Sequence, residues 1–542
     1  MTKVTFSRKE FEKEITLTKE VEEKINLFGA PIESLTKDEI EIEVNPNRPD
    51  LLSLYNYLRA LKLFIGKEKG LKKYKINKPE KNYKITVDQS VKDVRPYTVC
   101  AIVKNLSLND ERIKDIINMQ EKIAFTVGRN RKKMAIGIYP LDKISLPIVY
   151  TAKDPKEIKY HPLGAQQELT AHEILLAHPT GRKYSHLLEG AKKYPVFIDA
   201  NKQILSMPPI INSEQTGRID SNTKEVFIEC SGSDKLTLEK TLIIVTSALA
   251  EMGGKIYQVE IKDSENYITP EFETEKMKIS LENTNKLLGL SLTESDLTKC
   301  LQKMGHDYNN GKTEISPWRT DILHEVDLIE DIAIAYGYNN IVQEIPNIST
   351  PGEESKESII KRKISEVLIG LNMLEISSYH LIKQEEVESY NLKELLELEN
   401  SKTEYKYLRP NLSIPLLRIL AENKDAEYPQ KVFEIGTVFS KNSGKETGID
   451  EKDHLIIGLT PANATECKQH IDYLFKSLNL KCSIKESAHE NLIDGRTADI
   501  ILNNKIIGYF GEVHPLTLKK VGIKMPLAIA EISLEEIFKA IN

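Results

Sequence analysis

The sequence predicts a multidomain α+β protein, and three observations lead to that prediction. The chain has 542 residues, a length that exceeds one hydrophobic core and is typical of about three to five domains of ~100–200 residues each. Stretches with helical spacing of apolar residues and stretches that alternate like strands follow one another along the chain. A segment rich in proline, glycine and serine at residues 345–354 predicts a domain boundary late in the chain.

Residues 1–84 are predicted to form a mixed α/β unit that ends in a lysine-rich linker. Helical spacing covers residues 11–27 and 50–64, and residues 39–44 alternate like a strand. The turn Asn45-Pro46-Asn47-Arg48-Pro49-Asp50 predicts that Asp50 or Ser53 caps the following helix and that Arg48 binds backbone carbonyls. Nine lysines between Lys62 and Lys84 indicate a solvated linker or, as the alternative, contacts to RNA phosphates.

Three further units are predicted from the same periodicities. Residues 85–268 combine strands near 97–103, 134–139, 196–198 and 226–229 with helices near 110–126 and 238–252, which is typical of an α+β domain. Residues 269–345 contain helices near 283–288 and 294–304, a hairpin near 308–315 and a helix at 325–336, an order that suits a small winged-helix-like fold. Residues 346–542 contain a helix near 355–371 and strands near 375–380, 431–439, 454–460, 499–502 and 506–512.

Composition excludes several classes of protein. No apolar run approaches the ~18 residues that a membrane span needs, and the first residues lack the apolar segment of a signal peptide. The five cysteines are scattered and never spaced as C-x-x-C, which indicates reduced thiols. The net charge of −6 provides no overall basic field, so any contact with RNA must come from local patches. We therefore expect a cytoplasmic protein that does not bind membranes.

The acidic run at residues 317–331 is the densest cluster of charged side chains. Five carboxylates fall within eleven residues, and Asp327, Glu330 and Asp331 share one helical face beside an apolar stripe. Like charges at this spacing destabilise a helix by about 0.2–0.5 kcal/mol per pair, so a positive group should compensate them. Mg²⁺ is one candidate, with Asp321 contributing from the preceding loop. A solvated acidic face, or salt bridges to Arg319 and to a partner chain, is the other.

Motifs along most of the chain resemble a known family in their order. They are Asn45-Pro46-Asn47-Arg48-Pro49-Asp50-Leu51-Leu52-Ser53, Pro208-Pro209-Ile210-Ile211-Asn212-Ser213-Glu214-Gln215-Thr216-Gly217, Trp318-Arg319-Thr320-Asp321-Ile322, Asp327-Leu328-Ile329-Glu330-Asp331, Ala335-Tyr336-Gly337-Tyr338-Asn339-Asn340-Ile341, Phe433-Glu434-Ile435-Gly436-Thr437-Val438-Phe439 and Gly511-Glu512-Val513-His514-Pro515. Together they resemble the phenylalanyl-tRNA synthetase β subunit in its archaeal and eukaryotic form.

The resemblance implies a subunit of a ligase that attaches phenylalanine to tRNA(Phe). In the family the α subunit activates phenylalanine with ATP and the β subunit packs against it in an α₂β₂ heterotetramer. Residues 346–542 are then expected to form a catalytically inactive, class II synthetase-like antiparallel sheet with helices, in which Glu434 and Glu512 form salt bridges. The absence of any G-x-G sequence agrees with this expectation. The resemblance also supports Mg²⁺, shared with the α subunit, with Asp321, Asp327, Glu330 and Asp331 as ligands.

The resemblance further assigns residues 85–268 an editing site that hydrolyses mischarged tyrosyl-tRNA(Phe). An apolar pocket rejects an added hydroxyl by only about 10²-fold, so a second, hydrolytic site that hydrogen-bonds the tyrosyl hydroxyl is needed. Glu229 or Asp234 is expected to accept that hydroxyl. The expected wall residues are Leu205, Pro208, Pro209 and Gly217, and the residues expected to position the ester and a water are Asn212, Ser213, Glu214 and Thr216.

Two alternatives to an editing subunit remain at this point. The first is a structural scaffold whose editing pocket has decayed, and the second is a free-standing metal-dependent hydrolase built on the acidic cluster. Four histidines at positions 161, 172, 178 and 186 invite a metal interpretation, but they lack ligand spacing on one helix, so structural roles are predicted for them.

Overall fold

The computed structural model of the protein describes residues 2–347, 352–390, 392 and 395–541. Contacts divide the chain into two units, Met1–Ile345 and Pro346–Asn542, and this division falls at the start of the proline-rich segment. Both units mix helices with sheets, as the sequence predicts. Among the described residues, no helix combines the length and the apolar character that crossing a bilayer requires.

The first unit begins with a small antiparallel sheet of order β1-β3-β2 covered by helices. Its elements are β1 (Thr2–Ser7), α1 (Arg8–Glu14), α2 (Lys19–Leu27), β2 (Ile32–Leu35), β3 (Glu39–Val44) and α3 (Leu54–Phe64). The single helix predicted at residues 11–27 is two helices, because the Thr18 side chain accepts from Val21 N and starts α2.

Two predictions about the Asn45–Asp50 turn are wrong. Neither Asp50 nor Ser53 caps α3 with its side chain; Asp115 does, accepting from Leu54 N at 2.9 Å and from the Ser53 hydroxyl at 2.8 Å. Among the residues that the structure describes, the Arg48 side chain binds no backbone carbonyl and instead donates to both oxygens of Asp50, at 2.9 Å each. The turn is therefore fixed by side-chain pairs that are remote in sequence or buried, which turn rules do not capture.

A large mixed sheet dominates the first unit. The elements of this region are β4 (Ile76–Asn77), β5 (Lys84–Val87), β6 (Tyr97–Lys104), α4 (Asp110–Phe125), β7 (Met134–Pro140), β8 (Ile148–Lys153), β9 (Lys159–Tyr160), β10 (Leu169–Thr170), α5 (Ala171–Ala177), α6 (Pro179–Tyr184), β11 (Tyr194–Ile198), β12 (Ile204–Met207), β13 (Ile211–Asn212), α7 (Glu214–Gly217), β14 (Val226–Gly232), α8 (Lys235–Glu251), β15 (Lys255–Lys262) and β16 (Tyr267–Thr269). The order is β13-β12-β11-β8-β5-β15-β6-β14-β7, with β4 and β16 also paired to β15. The sheet places β14 between β6 and β7, deep in the core.

The last part of the first unit combines three helices with a three-stranded antiparallel sheet of order β17-β19-β18. Its elements are β17 (Glu275–Lys278), α9 (Leu281–Leu288), α10 (Glu294–Lys303), β18 (Asp307–Asn309), β19 (Lys312–Ile315) and α11 (Glu325–Tyr336). The acidic helix has the predicted bounds, because its apolar stripe faces the core and Gly337, with a φ of 97°, ends it.

The second unit is built on a seven-stranded sheet of order β20-β23-β24-β28-β27-β26-β25, antiparallel except for the pair β20–β23. Its elements are α12 (Lys356–Gly370), β20 (Leu374–Glu375), β21 (Leu381–Lys383), α13 (Gln384–Ser389), β22 (Tyr405–Leu408), α14 (Ser413–Glu422), β23 (Gln430–Lys441), β24 (Ile449–Thr460), α15 (Ala464–Ser477), β25 (Ser483–Glu486), β26 (Leu492–Leu502), β27 (Lys505–Val513), α16 (Pro515–Val521), β28 (Ala528–Ser533) and α17 (Glu535–Ile541). The strand predicted at residues 375–380 ends at Glu375.

Candidate functional site

A cavity of about 420 Å³ opens beside strand β14 in the first unit. Its walls come from α4, β7, the β12–β13 turn and the end of α7. Most of the lining is apolar: Ile117, Ala124, Ala135, Ile136, Ile138, Leu163, Pro208, Pro209, Ile210, Ile211 and Ile219. A few polar side chains converge on it, which is typical of small-molecule sites. These are Gln120, Glu121, Arg131, Thr180, Asn212, Arg218 and Glu229.

Glu229 provides a buried carboxyl group to this cavity. It lies in the middle of β14, where all seven residues are buried, and its own exposed fraction is 2%. Side chains alternate across a strand, so Glu229 shares a face with Phe227 while Ile228 and Cys230 pack on the opposite side. Among the described residues, its Oε2 atom has no hydrogen-bond partner. Burial raises the pKa of Glu229 to about 7, although the charge of Arg95 and the nearby hydroxyls of Ser231 and Tyr139 partly oppose the shift.

Tyr139 holds the other oxygen of Glu229. Its hydroxyl lies 3.3 Å from Glu229 Oε1, 3.4 Å from Asn212 Oδ1 and 2.8 Å from Ser206 Oγ. A phenol has one proton, so Tyr139 can donate to only one of these three oxygens at a time. Glu229 is therefore only weakly satisfied inside the protein.

Gly137 makes room for this carboxyl group. It pairs directly with Glu229 across β7 and β14. A Cβ atom at position 137 would lie 2.5 Å from Glu229 Oε1 and would overlap the Tyr139 hydroxyl. A glycine inside a strand often marks such a close approach, so this signal was available in the sequence.

Arg131 shapes the wall next to Pro209. Its guanidinium donates to Pro209 O at 3.1 Å and to Ile210 O at 2.8 Å, and it lies 4.3 Å from the centre of the Tyr184 ring. These contacts fix the β12–β13 turn against helix α6. No motif in the sequence points to Arg131, because its partners are backbone carbonyls that are remote along the chain.

The structure brings only part of the predicted site residues to the cavity. Pro208, Pro209, Asn212, Gly217 and Glu229 line it. Leu205 packs instead in the neighbouring apolar core. Asp234 serves as the N-cap of α8, where it accepts from Thr237 N and the Thr237 hydroxyl. Of the two expected acceptors for a tyrosyl hydroxyl, Glu229 alone faces the cavity.

The three remaining predicted residues are not among those that line the cavity. Ser213 is buried and precedes the short helix α7. Glu214 forms an ion pair with Arg218 and accepts from Gly164 N at 2.9 Å. Thr216 is 1% exposed, and its hydroxyl has no hydrogen-bond partner among the described residues. Of the residues expected to position an ester and a water, Asn212 is therefore the one that lines the cavity, and the role of the other three stays a prediction.

Two of the four histidines of this region, His161 and His178, make contacts to neighbouring backbone. His178 starts α6 by accepting from Thr180 N, and its Nε2 atom lies 3.2 Å from Leu163 O. His161 Nε2 lies 2.7 Å from Ala165 O. Throughout the described part of the chain, no group of three or more histidine, cysteine, aspartate and glutamate side chains is arranged to hold a metal ion.

The acidic cluster around α11 surrounds a second cavity of about 470 Å³, which Asp321, Asp327, Glu330 and Asp331 all line. The buried Arg319 guanidinium donates to both Asp321 oxygens at 2.8 Å and to Asp331 at 2.7 and 3.0 Å. Burial alone would raise the pKa of Asp331, but the charge of Arg319 and the hydrogen bond from His306 hold it below its usual range.

The hydrogen bonds and ion pairs of these carboxylates determine which of them are available to bind Mg²⁺. Asp327 accepts from Leu323 N and His324 N and so caps its own helix. Asp321 and Asp331 are bound to Arg319, and Glu330 alone of the four carboxylates has no hydrogen-bond or ion-pair partner among the described residues. The set as arranged therefore does not fit Mg²⁺, and the predicted salt bridge to Arg319 is the interpretation that the geometry supports.

In the second unit, both candidate sheet glutamates form the expected salt bridges. Glu434 accepts from Arg409 at 2.8 Å, with both side chains at most 3% exposed, and Glu512 accepts from Arg496 at 2.6 Å.

Comparison with known proteins identifies the family. Residues 82–247 match the family model described as the B3/4 domain, residues 277–338 the tRNA synthetase B5 domain, and residues 341–534 the phenylalanyl tRNA synthetase beta chain CLM domain. The phenylalanine–tRNA ligase beta subunit of Archaeoglobus fulgidus is 37% identical over 95% of this chain and 94% of its own length. That of Thermococcus kodakarensis is 34% identical over 99% of both chains.

A solved structure agrees with these matches. An N-terminal fragment of the phenylalanyl-tRNA synthetase β subunit from Pyrococcus horikoshii is 37% identical, has a TM-score of 0.60, and covers 62% of this chain and 99% of its own. By these similarities over nearly its whole length, the chain belongs to the family of phenylalanine–tRNA ligase β subunits.

Proposed function

We propose that the cavity beside Glu229 receives the tyrosyl group of mischarged tRNA(Phe), whose ester bond is then hydrolysed. The observation that carries the proposal is the Glu229 Oε2 atom, a buried oxygen without a hydrogen-bond partner among the described residues, in a pocket with mostly apolar walls. A phenolic hydroxyl donates a proton and accepts one, so it can pair with the carboxyl group in either protonation state.

The same atom would give selectivity. A phenylalanyl group would fill the apolar walls but leave Glu229 Oε2 unpaired, at a cost of about 1–3 kcal/mol, or roughly 5- to 150-fold in rate or affinity. An editing site must reject the correct amino acid, phenylalanine. A buried acceptor favours the tyrosyl group over the phenylalanyl group and so meets this requirement.

Hydrolysis itself has few candidate groups. The described side chains that line the cavity include no histidine and no Ser–His–Asp arrangement. Asn212 is the one predicted positioning residue that faces the cavity. In our proposal it orients the ester, and the attacking water is activated by the substrate, whose terminal ribose carries a neighbouring 2′-hydroxyl.

The decayed-scaffold alternative is less consistent with the site. If the pocket did not need a carboxyl group, glutamine or leucine at position 229 would avoid the cost of a buried acid with a raised pKa. Gly137, Tyr139 and Ser206 together still accommodate that acid.

We also infer that the chain acts with an α subunit, in an α₂β₂ assembly that binds tRNA(Phe). The name of the family implies a second kind of subunit. In the second unit, Glu434 and Glu512 form salt bridges with arginines of the same chain. Adenylation with ATP is therefore assigned to the partner. No step is assigned to Mg²⁺ on this chain.

The experiment compares hydrolysis of tyrosyl-tRNA(Phe) and phenylalanyl-tRNA(Phe) by the co-expressed α–β complex. We expect Glu229→Ala to lower the preference for the tyrosyl ester by roughly 5- to 150-fold, with phenylalanine charging intact. Asp234→Ala is the matched control, because it removes a carboxylate five residues away that faces another direction. Loss of selectivity in Asp234→Ala alone, or no hydrolysis by the wild type, would refute the assignment.

A further inference from the structure

A basic loop follows helix α4 at the edge of the cavity. Its sequence is Gly128-Arg129-Asn130-Arg131-Lys132-Lys133, four basic residues in six with no acidic one. The chain as a whole carries a net charge of −6. Because the overall charge is negative, electrostatic attraction of a polyanion to this face depends on a local concentration of positive charge.

The loop has a fixed shape. Arg129, Asn130 and Arg131 all have positive φ angles, of 48°, 54° and 65°. Their backbone N–H groups donate to the last carbonyls of α4 and to Thr126, at 2.9–3.0 Å. A Cβ atom at Gly128 would overlap Ala124 O, so glycine is required there. The loop therefore needs little ordering when it binds a ligand.

The charges of the loop divide between the cavity and the solvent. Arg131 turns inward and binds the carbonyls of Pro209 and Ile210 on the cavity wall. Arg129 and Lys132 are exposed, and neither has an ion-pair partner among the described residues. Lys133 lies 3.6 Å from Asp234. Arg129 and Lys132 therefore lie on either side of Arg131, the loop residue that lines the cavity, and their charges face the solvent.

We propose that this basic loop binds the phosphates of the single-stranded 3′ end of aminoacyl-tRNA while its amino acid occupies the cavity. The inference rests on the proposed editing function. A substrate whose aminoacyl group enters a pocket must bring its last phosphates to the edge of that pocket. Contacts to phosphates from arginine and lysine position a nucleic acid without reading its sequence. The loop is built to supply such contacts at that edge.

The lysine-rich segment between Lys62 and Lys84 is less suited to this role. Lys62 pairs with Glu14, Lys72 with Glu251 and Lys84 with Glu260. Lys78 and Lys81 are exposed and have no ion-pair partner among the described residues, so they provide a control of equal charge.

The test uses the α–β complex and two double variants. Arg129→Gln with Lys132→Gln removes the two outward charges and leaves Arg131 in place, while Lys78→Gln with Lys81→Gln removes two charges elsewhere. Each is assayed on tyrosyl-tRNA(Phe) and on 3′-O-tyrosyl-adenosine, which carries the same ester without phosphates. The salt dependence of kcat/KM for the tRNA substrate is measured in parallel.

We expect the loop variant to raise KM for tyrosyl-tRNA(Phe) about tenfold and to reduce the salt slope by about 0.7 for each lost phosphate contact. Hydrolysis of the adenosine ester should not change, and the control variant should match the wild type. Equal tRNA kinetics in the loop variant and wild type would overturn the proposal, as would equal losses on both substrates, which would mean that the loop only shapes the pocket. A wild type that cleaves neither ester would refute the editing function instead.

Discussion

Replacing Glu229 with glutamine should change how folding depends on pH. Burial raises the pKa of Glu229 to about 7, against about 4.3 in an unfolded chain. Between these values the folded state binds the proton and the unfolded state does not, so stability falls as the pH rises from about 4.3 to about 7. The side chain is fully buried, and at 1.36 kcal/mol per pKa unit the loss above pH 7 is about 3–4 kcal/mol.

We therefore expect Glu229→Gln to be more stable than the wild type by about 3 kcal/mol near pH 8 and to be nearly equal to it near pH 4.5. Trp318 is the only tryptophan of the chain and lies buried in the first unit, so its fluorescence reports urea unfolding of the unit that contains Glu229. Parallel stability curves for the two proteins across this range would refute the reasoning.

Asp234→Asn should change the pH dependence of folding stability in the opposite direction in the same assay. The hydrogen bond from the Thr237 side chain lowers the pKa of Asp234, so its contribution is present at neutral pH and lost as the pH falls. A wild-type curve that responds to Asp234→Asn but not to Glu229→Gln would show that the buried carboxyl group does not titrate as proposed.

Three further substitutions test the other buried groups. Burial raises the pKa of Asp115 to about 6, so stability should fall between about pH 3.9 and pH 6 in the wild type and not in Asp115→Asn; equal slopes in urea titrations would contradict this. Gly137→Ala puts a methyl group 2.5 Å from Glu229 Oε1, and we expect a loss of about 1–3 kcal/mol together with slower tyrosyl-tRNA hydrolysis, whereas an unchanged Tm would exclude the close approach. Arg319→Gln should cost about 3–5 kcal/mol, because it leaves Asp331 buried without a cation; a chelator should leave the wild-type Tm unchanged, and a fall in Tm would show that a metal supports the cluster.

Local patterns predicted the elements whose stability is local. Helix α11 has the predicted bounds because an apolar stripe and a terminal glycine both lie within the segment. The strand predicted at residues 375–380 ends early because Ser378 donates to Glu434 and the His380 carbonyl accepts from Arg409 N. Those partners lie more than twenty residues away, beyond the reach of a periodicity argument.

The candidate site also has features that the local sequence predicts and features that depend on long-range pairing. Glu229 and the Pro208–Gly217 stretch were predicted through resemblance, but the strand register that pairs Glu229 with Gly137 is a long-range property of the sheet. Asp234 stands directly before a helical run, and this N-cap signal gives its actual role. The acidic cluster was predicted to need a positive group, and the structure provides it as Arg319.

Asp115 and Glu229 are both buried carboxyl groups, but they differ in how many of their oxygens are hydrogen-bonded. Both have raised pKa values because both lose hydration. The two oxygens of Asp115 each accept a hydrogen bond, from Leu54 N and the Ser53 hydroxyl, and so start helix α3. Glu229 has one oxygen without a partner among the described residues, and that residue lines a cavity large enough for an aromatic side chain. Folding gains nothing from the unpaired oxygen, so a ligand that donates to it accounts for its position better than stability does.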